Sequence, residues 1–425
     1  MFKNYKKNSY SKTKIKLLTN FFSLSSMQIV SYILPLITIP YLVRVLGVEK
    51  FGLIAFAQTI IQYFVLFTDY GFGLSATKQV AEHRDNKNKV IEIFSSVLFI
   101  KFCMTLVSFF VLSLIVFNFE MFEKDWLLYY LTFGVAVGQA MFPLWYFQGI
   151  EKMHITALVN IVPKLIFTLC IFIFVQNKDD YLYVPLISSL GFIVAGLISL
   201  WLALYHFKVS FVFPTMAEVK HQLYEGWHVF LGGLSSNFSL LSVTFILGVL
   251  TTPVMVGYYA AVEKIIRPLA SLSRPIINSI FPYLSSSAKL NHKKAYEFSR
   301  KISLYAFVFM FMIGIILFIF SDHIVLLVFG KEFGVSSSIL KIMAFVPALR
   351  SLIDIYGIPN MIIFDLKKVY SKIMFFGLFF SLLTSLILVE IYAAEGAALS
   401  VLLTDIVILS LLHLYLSMHI KKVVC

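Results

Sequence analysis

The sequence predicts an all-α integral membrane protein: twelve transmembrane helices in two six-helix bundles related by a parallel pseudo-two-fold. Three observations carry this. Of 425 residues, 60% are hydrophobic and 13% are charged, against roughly 45–50% and about 25% in soluble domains. The apolar residues stand in long unbroken runs, whereas the strands of a membrane barrel alternate in short segments. The basic residues between the runs alternate from one side to the other.

The first run, Leu17–Val43, follows a basic start. It is too long for the apolar part of a signal peptide, and no A-x-A cleavage site follows, so it reads as a helix that stays in place. Phe51–Val80, Val90–Phe117, Trp126–Ile150, Met153–Val175 and Tyr181–Phe207 complete the first six spans. The second six are Glu225–Leu250, Val254–Ser287, Phe298–Phe320, Ser336–Phe364, Val369–Ile391 and Gly396–Met418. Each exceeds the roughly 20 residues that cross the hydrocarbon. With the N-terminus inside, the inner segments hold 23 of the 35 Lys and Arg residues. The outer segments hold five: Arg44, Lys50, Lys124, Lys178 and Lys331. Basic residues favour the cytoplasmic side, so both termini are expected there. The expected division is 1–207 for the first bundle, 208–224 for a cytoplasmic linker and 225–425 for the second bundle.

The chain looks doubled. Leu24-Ser25-Ser26 in the first span matches Leu234-Ser235-Ser236 in the seventh. Gly52-x-x-Ala55 in the second matches Gly257-x-x-Ala260 in the eighth. Both halves start on the same side, which makes the repeat parallel. Gly134-x-x-x-Gly138 is a helix-packing motif.

Several chemistries find no support. The formal net charge of +13 would suggest nucleic acid in a soluble protein, but here the charge lies in the loops and no nucleic acid is expected. There is no G-x-x-x-x-G-K-[ST] and no H-E-x-x-H. Cys103, Cys170 and Cys425 are odd in number, so neither a disulfide framework nor a zinc site is readable. No cofactor and no metal are expected. Asn237-Phe238-Ser239 matches a glycosylation sequon but falls inside a span.

The informative residues are ionisable groups inside the spans. The cations are Lys101, Lys164, Lys264, Arg267, Arg274, Lys341 and Arg350, and the acids are Asp69, Glu263, Asp354 and Asp405. A charge at the middle of a membrane helix costs about 2.5–3.5 kcal/mol, so seven facing lipid would cost roughly 20 kcal/mol. Most must face a wet cavity or a partner. Glu263, Lys264, Arg267 and Arg274 fall on one arc of a helix, with Glu263 and Arg267 spaced i, i+4. Pro268, Pro275 and Pro282 should kink that helix. Arg350 and Asp354 share a face and could form a bridge, while Lys341 sits near an outer end and can snorkel. Asp405 reads as a structural group. Lys164 follows Pro163, and Asp69 precedes Tyr70-Gly71 near a helix break. The excess of cations suits an anionic ligand, and arginine's planar fork matches phosphate oxygens. A pyrophosphate lipid headgroup fits. Kinks at Pro35 and Pro40 would help open a lateral gate for a lipid tail.

The stretch from Leu34 to Ala81 resembles the N-terminal signature of Wzx-type bacterial polysaccharide flippases. The pattern P-x-x-T-x-P-Y-L-x-R-x-L-G is carried here by Pro35, Thr38, Pro40, Tyr41, Leu42, Arg44, Leu46 and Gly47. Phe51-Gly52 and the turn Tyr70-Gly71-Phe72 follow, with Val256-Gly257-Tyr258-Tyr259 and Ile280-Phe281-Pro282 similar in the second half. The resemblance implies the fold of the multidrug/oligosaccharidyl-lipid/polysaccharide exporter class and a transporter rather than an enzyme. The implied substrate is an undecaprenyl-pyrophosphate-linked O-antigen repeat unit, moved from the cytoplasmic to the periplasmic leaflet by ion-driven alternating access. It also implies a bacterial inner-membrane location, contact with membrane lipid, and an O-antigen polymerase and chain-length regulator as candidate partners.

On that reading Arg267, Arg274, Lys164, Lys101, Lys264 and Arg350 bind substrate. Asp69, Glu263 and Asp354 are the candidate ion-coupling carboxylates. Two alternatives stay open. A drug or cation antiporter on the same fold would prefer an acidic cavity. An O-antigen polymerase or other membrane glycosyltransferase would need a large outer loop.

Overall fold

A computed structural model describes the backbone of residues 2–273, 277, 284, 292–361, 364 and 366–424. Arg274, Pro275, Ile280, Phe281, Pro282 and the end of the eighth expected span lie outside the described residues, as do the side chains of the two Leu-Ser-Ser repeats. All regular structure among the described residues is helical. In chain order the helices are α1 (Phe2–Asp69), α2 (Phe72–Glu82), α3 (Lys87–Asn118), α4 (Glu120–Glu123), α5 (Trp126–Met141), α6 (Leu144–Gly149), α7 (Met153–Phe174) and α8 (Tyr183–Trp201). They continue as α9 (Met216–Leu250), α10 (Pro253–Ser271), α11 (His292–Ile319), α12 (Ser321–Val328), α13 (Ser336–Met343), α14 (Val346–Ile355) and α15 (Lys367–Val424).

Seven stretches among the described residues are long and apolar enough to cross a membrane. Two of them, Ile33–Glu82 and Lys368–His419, run to 50 and 52 residues, more than twice the roughly 20 that a crossing takes. The second holds one break and the first holds two, one of them the Tyr70-Gly71 turn between α1 and α2. In α1 the dihedrals leave the helix at Gly47 (φ 71°), and in α15 at Ala393 (φ 47°). Helical dihedrals persist through Pro35 and Pro40; the left-handed residue that only glycine adopts freely comes later, at the end of the motif. Other expected spans are broken by backbone chemistry. Pro143 has no N–H to donate and separates α5 from α6, and Pro347 opens α14 one turn after α13 ends. The linker segment contributes the start of α9, which continues into the seventh expected span without a stop.

α3 shows how the sequence meets its solvent. Phe102, Phe109, Phe110 and Phe117 are exposed, while Lys101, Thr105 and Ser108 are buried on the opposite side. A soluble helix has the reverse polarity. In lipid, polar side chains turn inward and the apolar bulk meets the acyl chains.

The chain divides into two compact units. One comprises Met1–Thr38 and Ile60–Leu234; the other comprises Ile39–Thr59 and Ser235–Cys425. The core of the first gathers Phe72, Phe94, Trp145, Tyr146 and Phe147 from α2, α3 and α6. Its α5 and α8 approach closely: a methyl group added at Gly138 would lie 2.3 Å from the backbone of Phe192, as the G-x-x-x-G spacing predicts. A core of the second gathers Ile353, Met361, Ile373, Ile408 and Leu412. Here the two repeated G-x-x-A segments meet. A methyl group at Gly52 would stand 1.8 Å from the Pro253 carbonyl oxygen, and one at Gly257 would stand 2.3 Å from that of Val48. The guanidinium of Arg44, from the Pro35–Gly47 motif, donates to the carbonyl of Leu327 in the last turn of α12, a C-terminal cap.

Candidate functional site

Ionisable side chains gather inside each unit. In the first, α1 ends at Asp69, where Tyr70 (φ 43°) and Gly71 (φ 76°) turn the chain into α2. Tyr70 is held by a stack on Phe230 with ring centroids 4.8 Å apart. This turn presents the Asp69 carboxylate to α3, where Lys101 Nζ donates to Oδ1 at 3.2 Å. Lys101 is 4% exposed, whereas half of the Asp69 side chain is open. The pair therefore has a buried cationic end and an accessible anionic one. On α7, half-buried Lys164 follows Pro163 and places its ammonium 5.7 Å from the centroid of the Phe192 ring on α8, a cation–π distance.

In the second unit, α10, α14 and α15 pack together and carry the denser cluster. Glu263 and Arg267 on α10 form the i, i+4 pair expected from their spacing, with Arg267 Nη2 2.9 Å from Glu263 Oε1. Glu263 is buried, while 44% of the Arg267 side chain is exposed, so one carboxylate occupies one edge of the guanidinium and leaves its other N–H donors open. Half-buried Lys264 makes no ion pair among the described residues, although Glu263 and Arg267 both act on it electrostatically. Pro268 lies within α10, which continues to Ser271.

Arg350 on α14 bridges to another helix. Its Nε donates to Asp405 Oδ2 on α15 at 2.7 Å. Asp354, one turn along from Arg350, accepts from Ser273 Oγ at 2.5 Å. The bridge thus runs between helices to Asp405 rather than along α14 to Asp354. Asp405, 1% exposed, is as deeply held as its structural reading requires. Buried Tyr259 interacts electrostatically with Glu263, Arg267, Arg350 and Asp405, which ties both ion pairs into one neighbourhood. Sequence reasoning missed Tyr259, Ser273 and Phe192, since a lone tyrosine, serine or phenylalanine in an apolar run carries no signal of its own.

The charge balance differs from the whole-chain expectation. Among the described residues the second-unit cluster sets Lys264, Arg267 and Arg350 against Glu263, Asp354 and Asp405. Arg274, the further cation expected there, lies outside the described residues; the described bases stand on α10 and α14, and α15 adds only Asp405. What the cluster offers an anion is the ammonium of Lys264 and the open edge of Arg267, one helical turn apart on α10. Away from both clusters, Lys341 pairs with the exposed Asp322 at 2.9 Å. No group of three or more His, Cys, Asp or Glu side chains suited to a metal ion is found among the described residues.

Residues 17–288 match the family described as "Polysaccharide biosynthesis protein". A protein of Escherichia coli (strain K12) named "Putative O-antigen transporter" is 32% identical over 416 residues, covering 97% of this chain and 99% of that one. A protein of the same name from Shigella dysenteriae is 27% identical over 388 residues, 89% of this chain and 94% of that one. Among solved structures, the lipid II flippase MurJ in an inward closed conformation superposes with a TM-score of 0.71 at 13% identity, covering 94% of this chain and 87% of that one. An inward-facing MATE family multidrug resistance transporter of the MOP superfamily gives 0.70 at 13% identity, over 92% and 95%. At such identity the two structures establish a shared fold.

Proposed function

This chain belongs to the polysaccharide biosynthesis protein family, and from that premise we propose that it is a flippase for an undecaprenyl-pyrophosphate-linked O-antigen oligosaccharide, carrying it from the cytoplasmic to the periplasmic leaflet of a bacterial inner membrane. The observation that carries this reading is the 32% identity, along nearly the whole length of both chains, to the protein named "Putative O-antigen transporter". The same reading takes the chain as twelve spans in two six-helix bundles with both termini cytoplasmic. The expected divisions at 1–207, 208–224 and 225–425 belong to that proposal. An O-antigen polymerase and a chain-length regulator are its proposed neighbours. The choice over a drug antiporter rests on the family and its named relatives rather than on the fold, which multidrug transporters share.

The chemistry follows from the clusters. A pyrophosphate leaving water needs donors that replace its hydration. Lys264 and the open edge of Arg267 supply them from one face of α10. Lys101, Lys164, Arg274 and Arg350 complete the proposed substrate-binding set. Asp69, Glu263 and Asp354 are the proposed coupling carboxylates. A phosphate that takes the Arg267 guanidinium displaces Glu263 from it, so occupancy of the site and the state of that carboxylate are linked. A gradient supplies about 2.3 kcal/mol per charge per 100 mV, enough to bias a two-state rocking equilibrium.

The test is genetic. In a strain deleted for this protein, the wild-type gene restores surface O-antigen, and a variant combining Lys264→Gln with Arg267→Gln restores less than a tenth at equal protein level. Full display by that variant would remove the phosphate role.

A further inference from the structure

The polar residues of α7 stand at every fourth position. Thr156, Asn160, Lys164 and Thr168 are spaced i, i+4, i+8 and i+12 on a helix that is otherwise almost wholly apolar beyond its first turn. Their stripe winds slowly around the helix and rises about 12 Å from Thr156 to Lys164. Two of its members are orphans. Thr156 Oγ1 and Asn160 Oδ1 are buried and have no hydrogen-bond partner among the described residues. Thr156 is fully enclosed and Asn160 is 9% exposed. Native interiors rarely leave such atoms unsatisfied, and a binding site is one setting where they persist. The wall beside the stripe is fixed: Gly138 of α5 lies against the backbone of Phe192 on α8, and the Phe192 ring faces the Lys164 ammonium.

The chemistry of the orphans selects the ligand. An amide oxygen only accepts, and a fully ionised phosphate only accepts, so phosphate cannot satisfy Asn160 Oδ1. The partner missing from Asn160 Oδ1 must donate, whereas Thr156 Oγ1 can donate or accept. Sugar hydroxyls donate and accept, and the C–H faces of a sugar ring suit an aromatic wall. We propose that Asn160 and Thr156, one and two turns from Lys164, form a saccharide-reading stripe that, when the bundle opens to substrate, contacts hydroxyl groups of the first sugars of the transported lipid while Lys164 holds its phosphate. This rests on the flippase reading and deepens it: selectivity for the saccharide resides on α7.

The experiment compares two probes on the full-length protein in lipid nanodiscs. One is undecaprenyl pyrophosphate without sugar. The other is the undecaprenyl-pyrophosphate oligosaccharide extracted from parent cells lacking this protein. Wild type is expected to bind the sugar-bearing lipid at least tenfold tighter. Asn160→Ala should remove most of that advantage and leave the sugar-free lipid unchanged, and Lys164→Gln should weaken both. Thr156→Val keeps the side-chain shape and should lose several-fold on the sugar-bearing lipid alone. It carries the test if Asn160→Ala does not purify as a single species. Equal losses on both lipids, or no loss in either stripe variant, overturn the stripe. Equal binding of the two probes by wild type also overturns it and leaves the flippase reading standing. Binding of neither probe by wild type removes both.

Discussion

The Arg350–Asp405 contact shows what one buried pair does for a membrane bundle. Asp405 has almost no access to solvent, and its hydrogen-bonded partner is a guanidinium on another helix. Removing one partner of such a pair costs ~3–5 kcal/mol, because the charge left behind is uncompensated. Arg350→Leu should therefore lower the Tm of the purified protein by many degrees, and adding Asp405→Leu to it should restore much of the loss. Asp322 is a contrasting, solvent-facing case. Hydrogen bonds from Ser337 and then Lys341 hold its carboxyl below the ordinary aspartate value. A lowered folded-state pKa stabilises the fold at pH values above the unfolded value of about 3.9. That contribution disappears as pH falls through the lower folded value. Melting curves of wild type and Ser337→Ala should differ slightly at neutral pH and converge below pH ~4.

At the scale of elements, the close crossing inside the second unit is the most constrained contact. Gly52 and Gly257, which occupy equivalent places in the two halves of the sequence, each leave no room for a Cβ beside the other segment's backbone. Backbone cannot step aside as a flexible side chain can. Either glycine changed to alanine should force the helices apart and cost on the order of 1–3 kcal/mol or more, as overpacking does. Size-exclusion profiles of fluorescent fusions would show aggregated or missing protein. The two long helical runs teach a different lesson. Gly47 announces its break because it closes the R-x-L-G motif, and the break at Ala393 falls in the gap expected between Ile391 and Gly396, although alanine itself has no preference for a positive φ. Likewise the interruptions at Pro143 and Pro347 are readable from proline, as is the π-helical turn at Tyr356–Asn360 that follows α14 and contains Pro359, though none of them shows in hydropathy.

For the whole molecule, the alternation of basic loops makes a sidedness prediction. A cysteine at Lys124 should react with a membrane-impermeant maleimide added to intact cells stripped of their outer membrane, and one at Lys294 should react only after lysis. The reverse pattern would invert the topology and with it the direction of transport. The membrane character of the chain and its family were legible in the sequence, because hydropathy and short motifs are local properties. The candidate site was legible as a set of ionisable residues, since each stands out against apolar neighbours.

The amino-acid sequence by itself determined that the chain is helical and membrane-embedded, and that charged side chains in its spans must find company. Desolvation imposes both conditions residue by residue, without reference to distant parts of the chain. Only the tertiary structure decided who keeps that company. Lys101 meets Asp69 across 32 positions and Arg350 meets Asp405 across 55, while Lys264 is left without a carboxylate among the described residues. Such choices depend on how helices pack, and packing is set by the close approach of small residues such as Gly138 and Gly257, whose partners no local pattern identifies.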